Sequence, residues 1–444
     1  MKIPFDTPGR RWLVTASALA LVAIYVALAA TRFAASSLGR GEVRSGDFKR
    51  LRWAVRLDPG DAEYRNYLGG YYRAFAQDLG DLATAREYYR EAAQLNPHSA
   101  DYWFDLAAVY QLLGDASRQT SAFERAIEAD PTKPTVAWEA ANLYMVQGAN
   151  EKALREFRVV LANDASLAPS AIQFCWRIEP DVDALLRDVV PPQNDAYLAF
   201  LDLLEKNKPE DGATVTDQTA QTAKVWNALL QTNQPFERRR ADEYFRYLIL
   251  HKDVDQAVRV WQQTADRFGL SRYLPTAGNL IVNGNFGLNV LNTGLDWQYQ
   301  KQDRVKLELD SKDCPDDRRD FRSACNGRQA LTVNFDGPGI RDAGIYQLIA
   351  VQPNTTYNFS AYYKTSEQQG AGAPHFTVQD MYTLAIYYES DDLKDAGFWT
   401  KAEGEFTTGP DCKLIVLHIR RLPEGHPIRV KLWIGNFRLT RKPA

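Results

Sequence analysis

The sequence has little of the residues and motifs on which most catalytic and metal chemistry depends. It contains five histidines and four cysteines in 444 residues. It has no paired Cys-x-x-Cys, no His-Glu-x-x-His and no glycine-rich phosphate loop. Neighbouring acids such as Asp391 and Asp392 could serve a glycosidase only if two carboxylates faced each other across a cleft, and a solvated face accounts for them equally well. We therefore expect a protein that is not an enzyme and uses no cofactor and no metal.

The sequence also lacks an excess of positive charge. Its 53 lysines and arginines stand against 56 aspartates and glutamates, which gives a formal net charge of −3. No run is basic enough to follow a phosphate backbone, so a nucleic-acid partner is not expected. The acidic cluster between Asp310 and Asp320 lacks the spacing of a calcium loop, and we interpret it as a solvated loop.

One long apolar run stands out, at the N-terminus. Trp12–Ala30 are 19 residues without a charge, and a helix of that length spans about 28 Å, close to a bilayer core of about 30 Å. A cleaved signal peptide is the alternative, with Ala27–Ala29 as its cleavage site, but the run exceeds the usual apolar region of about 7–15 residues. Arg10 and Arg11 favour a cytoplasmic N-terminus, although basic residues also follow the run. We interpret residues 1–40 as a cytoplasmic stub, a transmembrane anchor and a linker.

The cysteines indicate the compartment. Cys314 and Cys325 flank a short polar loop, where a disulfide would form in an oxidising compartment. Cys175 and Cys412 lie in a helical pattern and near a strand pattern, and they are interpreted as buried thiols. Together with the anchor, this predicts a single-pass protein of the bacterial inner membrane with most of its chain in the periplasm.

A 34-residue period runs through the N-terminal half. Tyr89, Phe123 and Phe157 are each 34 residues apart. The central unit combines large and small apolar residues with a closing proline: Trp103, Leu106, Ala107, Tyr110, Phe123, Ala126 and Pro131. This pattern resembles the tetratricopeptide repeat, a helix–turn–helix unit. The resemblance implies a helical solenoid over residues 41–268, whose concave groove would hold a protein partner that the sequence does not identify.

The period changes after residue 268. Gly269, Pro275 and Gly278 break the helical pattern, so we interpret residues 269–278 as a linker. Beyond it, at least seven segments of strand length alternate apolar and polar residues, among them RQALTVNF, TYNFSAYYKT and RVKLWIGNFRL. Such segments, separated by turn residues, predict an antiparallel β-sandwich over residues 279–444.

The predicted sandwich begins with NLIVNGNFG, Asn279–Gly287, and Trp297 follows. This start and the closing LWIGNFRL resemble carbohydrate-binding modules with a galactose-binding-like jelly roll. The resemblance implies the fold but not the ligand, because many members of this superfamily bind no sugar. Gly287 and Gly435 stand where these modules usually carry the acidic residues of a structural calcium site, so that site is not expected.

Sugar binding requires outward aromatic rings with polar neighbours, because a pyranose has an apolar face for stacking and hydroxyls for directed hydrogen bonds. Adjacent strand residues point to opposite faces, so one tyrosine of each adjacent pair should face outward. The wider set of candidates includes Tyr299, Tyr382, Tyr387, Trp399 and Trp433, and Trp433, in an apolar closing strand, is interpreted as a core residue. The predicted glycan-binding residues are Trp297, Tyr363, Tyr388, Gln379 and Asp380.

Two functions follow from this architecture. The first is a non-catalytic, membrane-anchored scaffold for surface-polysaccharide assembly or export, whose solenoid binds a protein and whose sandwich binds glycan. The second is a scaffold for proteins alone, in which the sandwich binds no sugar and covers the last apolar helix face of the solenoid. Solvent exposure discriminates between them, since outward aromatics favour glycan and burial against the solenoid favours the cover.

Overall fold

A computed structural model describes residues 8–39, 48–207, 215–315, 328–421 and 426–443. Helices come first and strands follow. The helices are α1 (Pro8–Gly39), α2 (Phe48–Leu57), α3 (Ala62–Ala74), α4 (Leu79–Leu95), α5 (Ala100–Leu112), α6 (Ala116–Ala129), α7 (Pro134–Val146), α8 (Asn150–Asn163), α9 (Ala168–Ile178), α10 (Val182–Asp188), α11 (Asn194–Lys206), α12 (Val215–Gln231), α13 (Arg238–Leu250) and α14 (Val254–Phe268). The strands are β1 (Trp297–Tyr299), β2 (Val305–Asp310), β3 (Ala330–Gly337), β4 (Asp342–Ala350), β5 (Thr356–Thr365), β6 (Gln369–Gly370), β7 (Pro374–Asp380), β8 (Ile386–Glu389), β9 (Thr400–Thr407), β10 (Leu414–Arg421) and β11 (Ile428–Arg441).

The first helix is apolar along most of its length. Its segment Trp12–Leu38 is long and apolar enough to cross a membrane, judged by length and composition. A signal sequence near an N-terminus has the same properties.

The helices after α1 pack as antiparallel hairpins, as the 34-residue period predicts. Gly114 and Gly148, which are one period apart, both adopt a positive φ, 74° and 72°. Each glycine follows the first helix of a hairpin, where a left-handed residue ends the helix without the steric cost of a Cβ atom. The period in the sequence is therefore a period of turn geometry as well as of apolar residues.

The chain divides into two compact units, and their boundary differs from the predicted linker. The first unit extends to Asn207 and includes Lys224–Gln234. The second begins at Pro235, with the first part of α12 added, and therefore contains α13 and α14 as well as all the strands. The change from helix to strand does lie within and after residues 269–278, but the last helical hairpin belongs to the compact unit of the strands.

The strands form two antiparallel sheets of a sandwich. The five-stranded sheet has the order β1-β4-β10-β7-β8, and the other has the order β2-β3-β11-β5-β9 with β6 also paired to β11. Alternate residues of the strands fill the space between the sheets, for example Leu432 and Ile434 in β11 and Ile415 and Leu417 in β10. This is the sandwich that the alternating segments predict.

The central strand of the five-stranded sheet, β10, is buried on both faces. In β10, Ile415 and Leu417 face the core between the sheets. Leu414 and Val416 point the other way by the alternation of a strand, and they are buried too, at 0% and 8% exposed. Something other than the second sheet must therefore cover this outer face.

Helices α13 and α14 contact this sheet and its loops. The hydroxyl of Tyr382, in the turn after β7, donates to the carbonyl oxygen of Ile249 in α13 at 2.8 Å. The ammonium of Lys413, just before β10, lies 2.6 Å from the carboxylate of Asp255 in α14. These contacts and the buried outward side chains place the last helical hairpin against the outer face of the five-stranded sheet.

The NLIVNGNFG segment joins the start of the sandwich to its last strand. The side chain of Asn279 donates to the carbonyl oxygen of Phe437 at 2.9 Å and accepts from the Leu439 N–H at 2.9 Å. A Cβ atom at Gly284 would lie 2.3 Å from the Phe437 carbonyl oxygen, so only glycine fits there. Phe286 is fully buried in the core. Asn279, Gly284 and Phe286 of this motif therefore have structural roles that join the start of the sandwich to its last strand.

Candidate functional site

Trp297, which is predicted to bind sugar through an outward ring, does not face solvent. Its side chain is 1% exposed, and its ring packs against Phe286 and Phe437 at centroid distances of 5.2 and 4.9 Å. The indole N–H donates to the carbonyl oxygen of Asn283 at 3.2 Å. In β1, Trp297 is on the face that points into the sandwich, and it is a core residue that braces the NLIVNGNFG segment.

Tyr363 and Tyr388 do not face solvent as predicted either. Both are half-buried against the core between the sheets, and burial raises the pKa of each phenol. The ring of Tyr388 lies 5.3 Å from that of Phe359, and it fills the space where a Cβ atom at Gly404 would lie. Of the adjacent pair in β5, the outward residue is Tyr362.

The polar residues predicted beside these rings have other roles. Asp380 is 4% exposed, and its carboxylate accepts the N–H groups of Tyr382 and Thr383, each at 2.8 Å. Burial opposes ionisation, but the Thr383 and Tyr382 N–H groups hold the pKa of Asp380 below its usual range. Gln379 points to the outer face of the five-stranded sheet, the face against α13 and α14. Neither residue lies beside an open aromatic ring.

Of the wider candidates, Tyr299 at the end of β1 is 50% exposed, and two tryptophans point outward together on the six-stranded sheet. Trp433 in β11 stands between two core residues, Leu432 and Ile434, and therefore points outward. It pairs with Lys364 of β5, and Trp399 immediately precedes Thr400, which pairs with Tyr363. This register forms one row of outward side chains across three strands, which we call the tryptophan row: Trp433, Lys364 and Trp399. Two strand spacings separate its indoles by about 10 Å.

The turn after β2 fixes both indoles. The N–H of Trp433 donates to Asp310 at 3.2 Å, and the N–H of Trp399 donates to Asp313 at 2.9 Å. Asp313 also accepts the ammonium of Lys364. The Lys312 N–H first, and then the Trp433 indole, hold the pKa of Asp310 below its usual range. The carboxylates of Asp310 and Asp313 therefore orient the two rings by binding their indole N–H groups.

A disulfide and a glycine position that turn. Cys314 is disulfide-bonded, and its predicted partner Cys325 lies outside the described residues. Pro315 lies over Gly435, where an added Cβ atom would be 3.3 Å from the proline ring. Gly435 therefore lets the turn approach the sheet. Cys175 and Cys412 are free and buried, and burial raises the pKa of both thiols to about 12.

The sequence-based interpretation of Trp433 as a core residue is wrong, because it treats the apolar neighbours of Trp433 as a sign that Trp433 itself is buried. In a strand the opposite inference holds, since Leu432 and Ile434 in the core require the residue between them to point outward. The signal was present in the sequence. The link between Trp399 and Asp313 was not, because it joins residues 86 positions apart.

The first unit offers a second kind of surface. Leu112 and Val146, one repeat period apart, end the first helices of two successive hairpins and are 55% and 88% exposed. Asp105, on the first of these helices, is satisfied by Asn66 at 3.0 Å and Arg73 at 3.3 Å. The exposed ends of these two helices are therefore apolar, whereas the half-buried carboxylate of Asp105 pairs within the chain.

Comparison with known proteins agrees with both architectures. The family model of a carbohydrate binding domain matches residues 278–421, and that of a tetratricopeptide repeat matches residues 76–134. Similar solved structures include the MamA protein, at 16% identity over 46% of this chain and 91% of that chain with a TM-score of 0.26. PilF of Pseudomonas aeruginosa matches at 16% identity over 55% and 95% with a TM-score of 0.27. A structure described as "CBM4 structure and function" matches at 12% identity over 36% and 99% with a TM-score of 0.27.

No curated protein matches the chain. The chain contains one segment that matches the tetratricopeptide-repeat model, within the helical region, and one that matches the carbohydrate-binding-domain model, within the sandwich.

Proposed function

We propose that this protein is a non-catalytic scaffold anchored in the bacterial inner membrane, which holds a protein on its solenoid and a glycan on its sandwich during surface-polysaccharide assembly or export. The observation that carries the glycan half is the tryptophan row. Indole faces stack on the apolar face of a pyranose, and Asp310 and Asp313 place polar groups at the edges of those faces for hydroxyls. With one sheet covered by α13 and α14, the six-stranded sheet is the face that supports binding.

The solenoid half rests on the exposed apolar residues of the repeats. Leu112 and Val146 recur at one repeat period, so a bound helix or extended peptide could meet them in succession. The anchor rests on α1, whose length suits a bilayer. A periplasmic location is supported by the disulfide at Cys314, which an oxidising compartment maintains. Protease accessibility of the chain in spheroplasts, with and without permeabilised membranes, tests the topology.

The glycan half is tested on the full chain, kept in a detergent that has no sugar headgroup. Binding is measured on a glycan array and then by calorimetry for Trp433→Ala, Trp399→Ala and the double variant. Each substitution should weaken binding by about tenfold, since a buried aromatic contact of this kind contributes more than about 1.4 kcal/mol. Trp53→Ala is the matched control, because Trp53 is an exposed tryptophan, 56% exposed, in the first unit.

Two outcomes would refute this assignment. One is the absence of binding to every glycan by the unaltered chain. The other is full binding by the double variant, with circular dichroism unchanged, which would place the glycan elsewhere.

A second candidate function is that the sandwich covers the end of the helical region and supports protein binding alone. The observation that favours it is the burial of Leu414 and Val416 on the face that α13 and α14 contact. A chain that ends at Gly278 lacks the sandwich. The face of α13 and α14 that contacts the sheet would then be exposed, and this chain should aggregate. A chain that ends at Gln234, which removes the helices as well, is the comparison. A soluble chain to Gly278 that melts cooperatively would argue against this role.

A further inference from the structure

The surroundings of Trp433 differ from those of an open stacking ring because two ammonium groups lie over it. The Nζ of Lys431 is 4.6 Å from the ring centroid and the Nζ of Lys364 is 5.1 Å from it. Lys364 is paired with Asp313. Within the described part of the chain, no carboxylate lies within ion-pair distance of the Lys431 ammonium. The interaction of Lys431 with the indole is therefore its closest one.

The nearby acids are already engaged. Asp310 accepts the N–H groups of Lys312 and Asp313, at 2.9 and 3.3 Å, and the indole of Trp433. Glu308 is paired with Lys306 at 2.6 Å on β2. Asp310 and Glu308 do act on Lys431 through their charge, but their oxygens have other donors. Lys431 is therefore a cation beside the Trp433 ring that a ligand can satisfy.

This arrangement distinguishes neutral from acidic sugars. A neutral pyranose that stacks on Trp433 displaces the ammonium from the ring and offers it only hydroxyls. A uronic acid carries its carboxylate at the edge of the pyranose, where it can accept a charge-assisted hydrogen bond from the displaced ammonium while the sugar stacks. We propose that the tryptophan row binds an acidic glycan, with Trp433 stacking on a uronate residue and Lys431 pairing with its carboxylate. This inference rests on the proposed glycan-binding function.

The test compares each acidic oligosaccharide with its own neutral derivative. The full chain, in a zwitterionic detergent, is titrated with oligogalacturonide, oligoglucuronide and alginate oligomers, each beside the same oligomer with its carboxyls reduced to alcohols. The unaltered chain should bind at least one acidic oligomer about tenfold more tightly than its reduced form, and added salt should lower that ratio. Lys431→Met keeps the stem and should bring the ratio close to one without weakening binding of the reduced oligomer.

Matched variants separate this inference from the function on which it rests. Lys306→Met removes a paired lysine from the same face and should leave the ratio unchanged. Equal binding of every acidic and reduced pair, with both lost in Trp433→Ala, would overturn the acidic preference and leave the glycan site intact. A ratio that survives Lys431→Met would overturn the role of that lysine. Absence of all glycan binding would refute the proposed function itself.

Discussion

The indole of Trp261 in α14 lies directly against Gly294, in the loop before β1. A Cβ atom at residue 294 would be 2.1 Å from the ring, and Gly294 has a positive φ of 63°. The ring is 1% exposed, and its N–H donates to the carbonyl oxygen of Tyr273 at 3.1 Å. One helix of the repeat region is therefore fitted to the sandwich at atomic contact.

Gly294→Ala should consequently destabilise the second unit. The added methyl group must displace a buried indole and adopt a left-handed backbone, and overpacking of this kind costs roughly 1–3 kcal/mol. Thermal melting of the full chain, followed by near-ultraviolet circular dichroism, measures the loss. Gly278→Ala is the control, since nothing lies within 4 Å of its Cβ position. Equal melting of both variants would contradict the close packing of Trp261.

Two adjacent glycines of α3 should respond in opposite directions. Alanine in a helix is more favourable than glycine by about 1 kcal/mol, so Gly70→Ala, whose Cβ would meet only the Tyr89 hydroxyl at 3.5 Å, should stabilise the first unit. At Gly69 the Cβ would be 2.8 Å from the ring of Tyr89, which is 1% exposed. Gly69→Ala should therefore destabilise. Chemical denaturation of both variants measures the difference, and a stabilising Gly69→Ala would show that α3 and α4 lie further apart.

Asp296 should make stability depend on pH in the direction opposite to most aspartates. Its side chain is fully buried, and burial raises its pKa to about 6, against about 3.9 in an unfolded chain. The folded state thus holds the proton more tightly between pH 4 and 6. The contribution of Asp296 to the free energy of unfolding is greatest below about pH 4 and falls, by about 3 kcal/mol, as the pH rises through about 6.

Asp296→Asn tests this, because the amide oxygen can still accept the Leu291 N–H that now lies 2.7 Å from the carboxylate. The difference in unfolding free energy, variant minus unaltered chain, should grow in favour of the variant from pH 4 to pH 7. Asp336→Asn, at an exposed ion pair, is the control. A flat difference across that range would mean that the pKa of Asp296 is not raised.

Reduction of the disulfide at Cys314 should loosen the turn that orients the tryptophan row. Asp310 accepts the N–H groups of Lys312 and Asp313 within this turn, and these amides should exchange faster with deuterium when the disulfide is reduced. Cys314→Ser should exchange rapidly in either condition. Cys175→Ala, which removes a free thiol of the first unit, should behave as the unaltered chain does. Unchanged exchange on reduction would mean that the hydrogen bonds alone hold the turn.

The sequence predicts the two architectures well because their signals are local. The recurrence of Tyr89, Phe123 and Phe157 indicates helical hairpins, because each helix packs on its neighbours in the chain. The alternation of apolar and polar residues indicates the two faces of a sheet. The site depends instead on register. Trp433 meets Lys364 only because β11 pairs with β5, and no local pattern specifies that pairing.

The boundary of the compact unit at Pro235 differs from the predicted linker, although the second of the two predicted functions already places the sandwich over the last apolar helix face. The sequence pattern of a repeat helix indicates which face is apolar, but it does not indicate which element of the fold packs against that face. Tyr382 meets Ile249 across 133 residues of sequence. Among the predicted glycan residues, Trp297 and Asp380 are buried because each has a structural role that no local pattern indicates.

The burial of β10 on both faces is visible in its amino-acid sequence, and the same pattern can be sought in other chains. Strand β10, LIVLHIRR, is apolar at consecutive positions. Strand β9, which contains KAEGEFT and lies at the edge of the six-stranded sheet, alternates apolar or small residues with polar ones. A free-standing module needs only one apolar face on each sheet. In other chains where such a sandwich follows a helical repeat, the apolar pattern of this strand should therefore indicate whether helices cover the sheet. A sandwich covered in this way should be expressed together with the helical hairpin that precedes it.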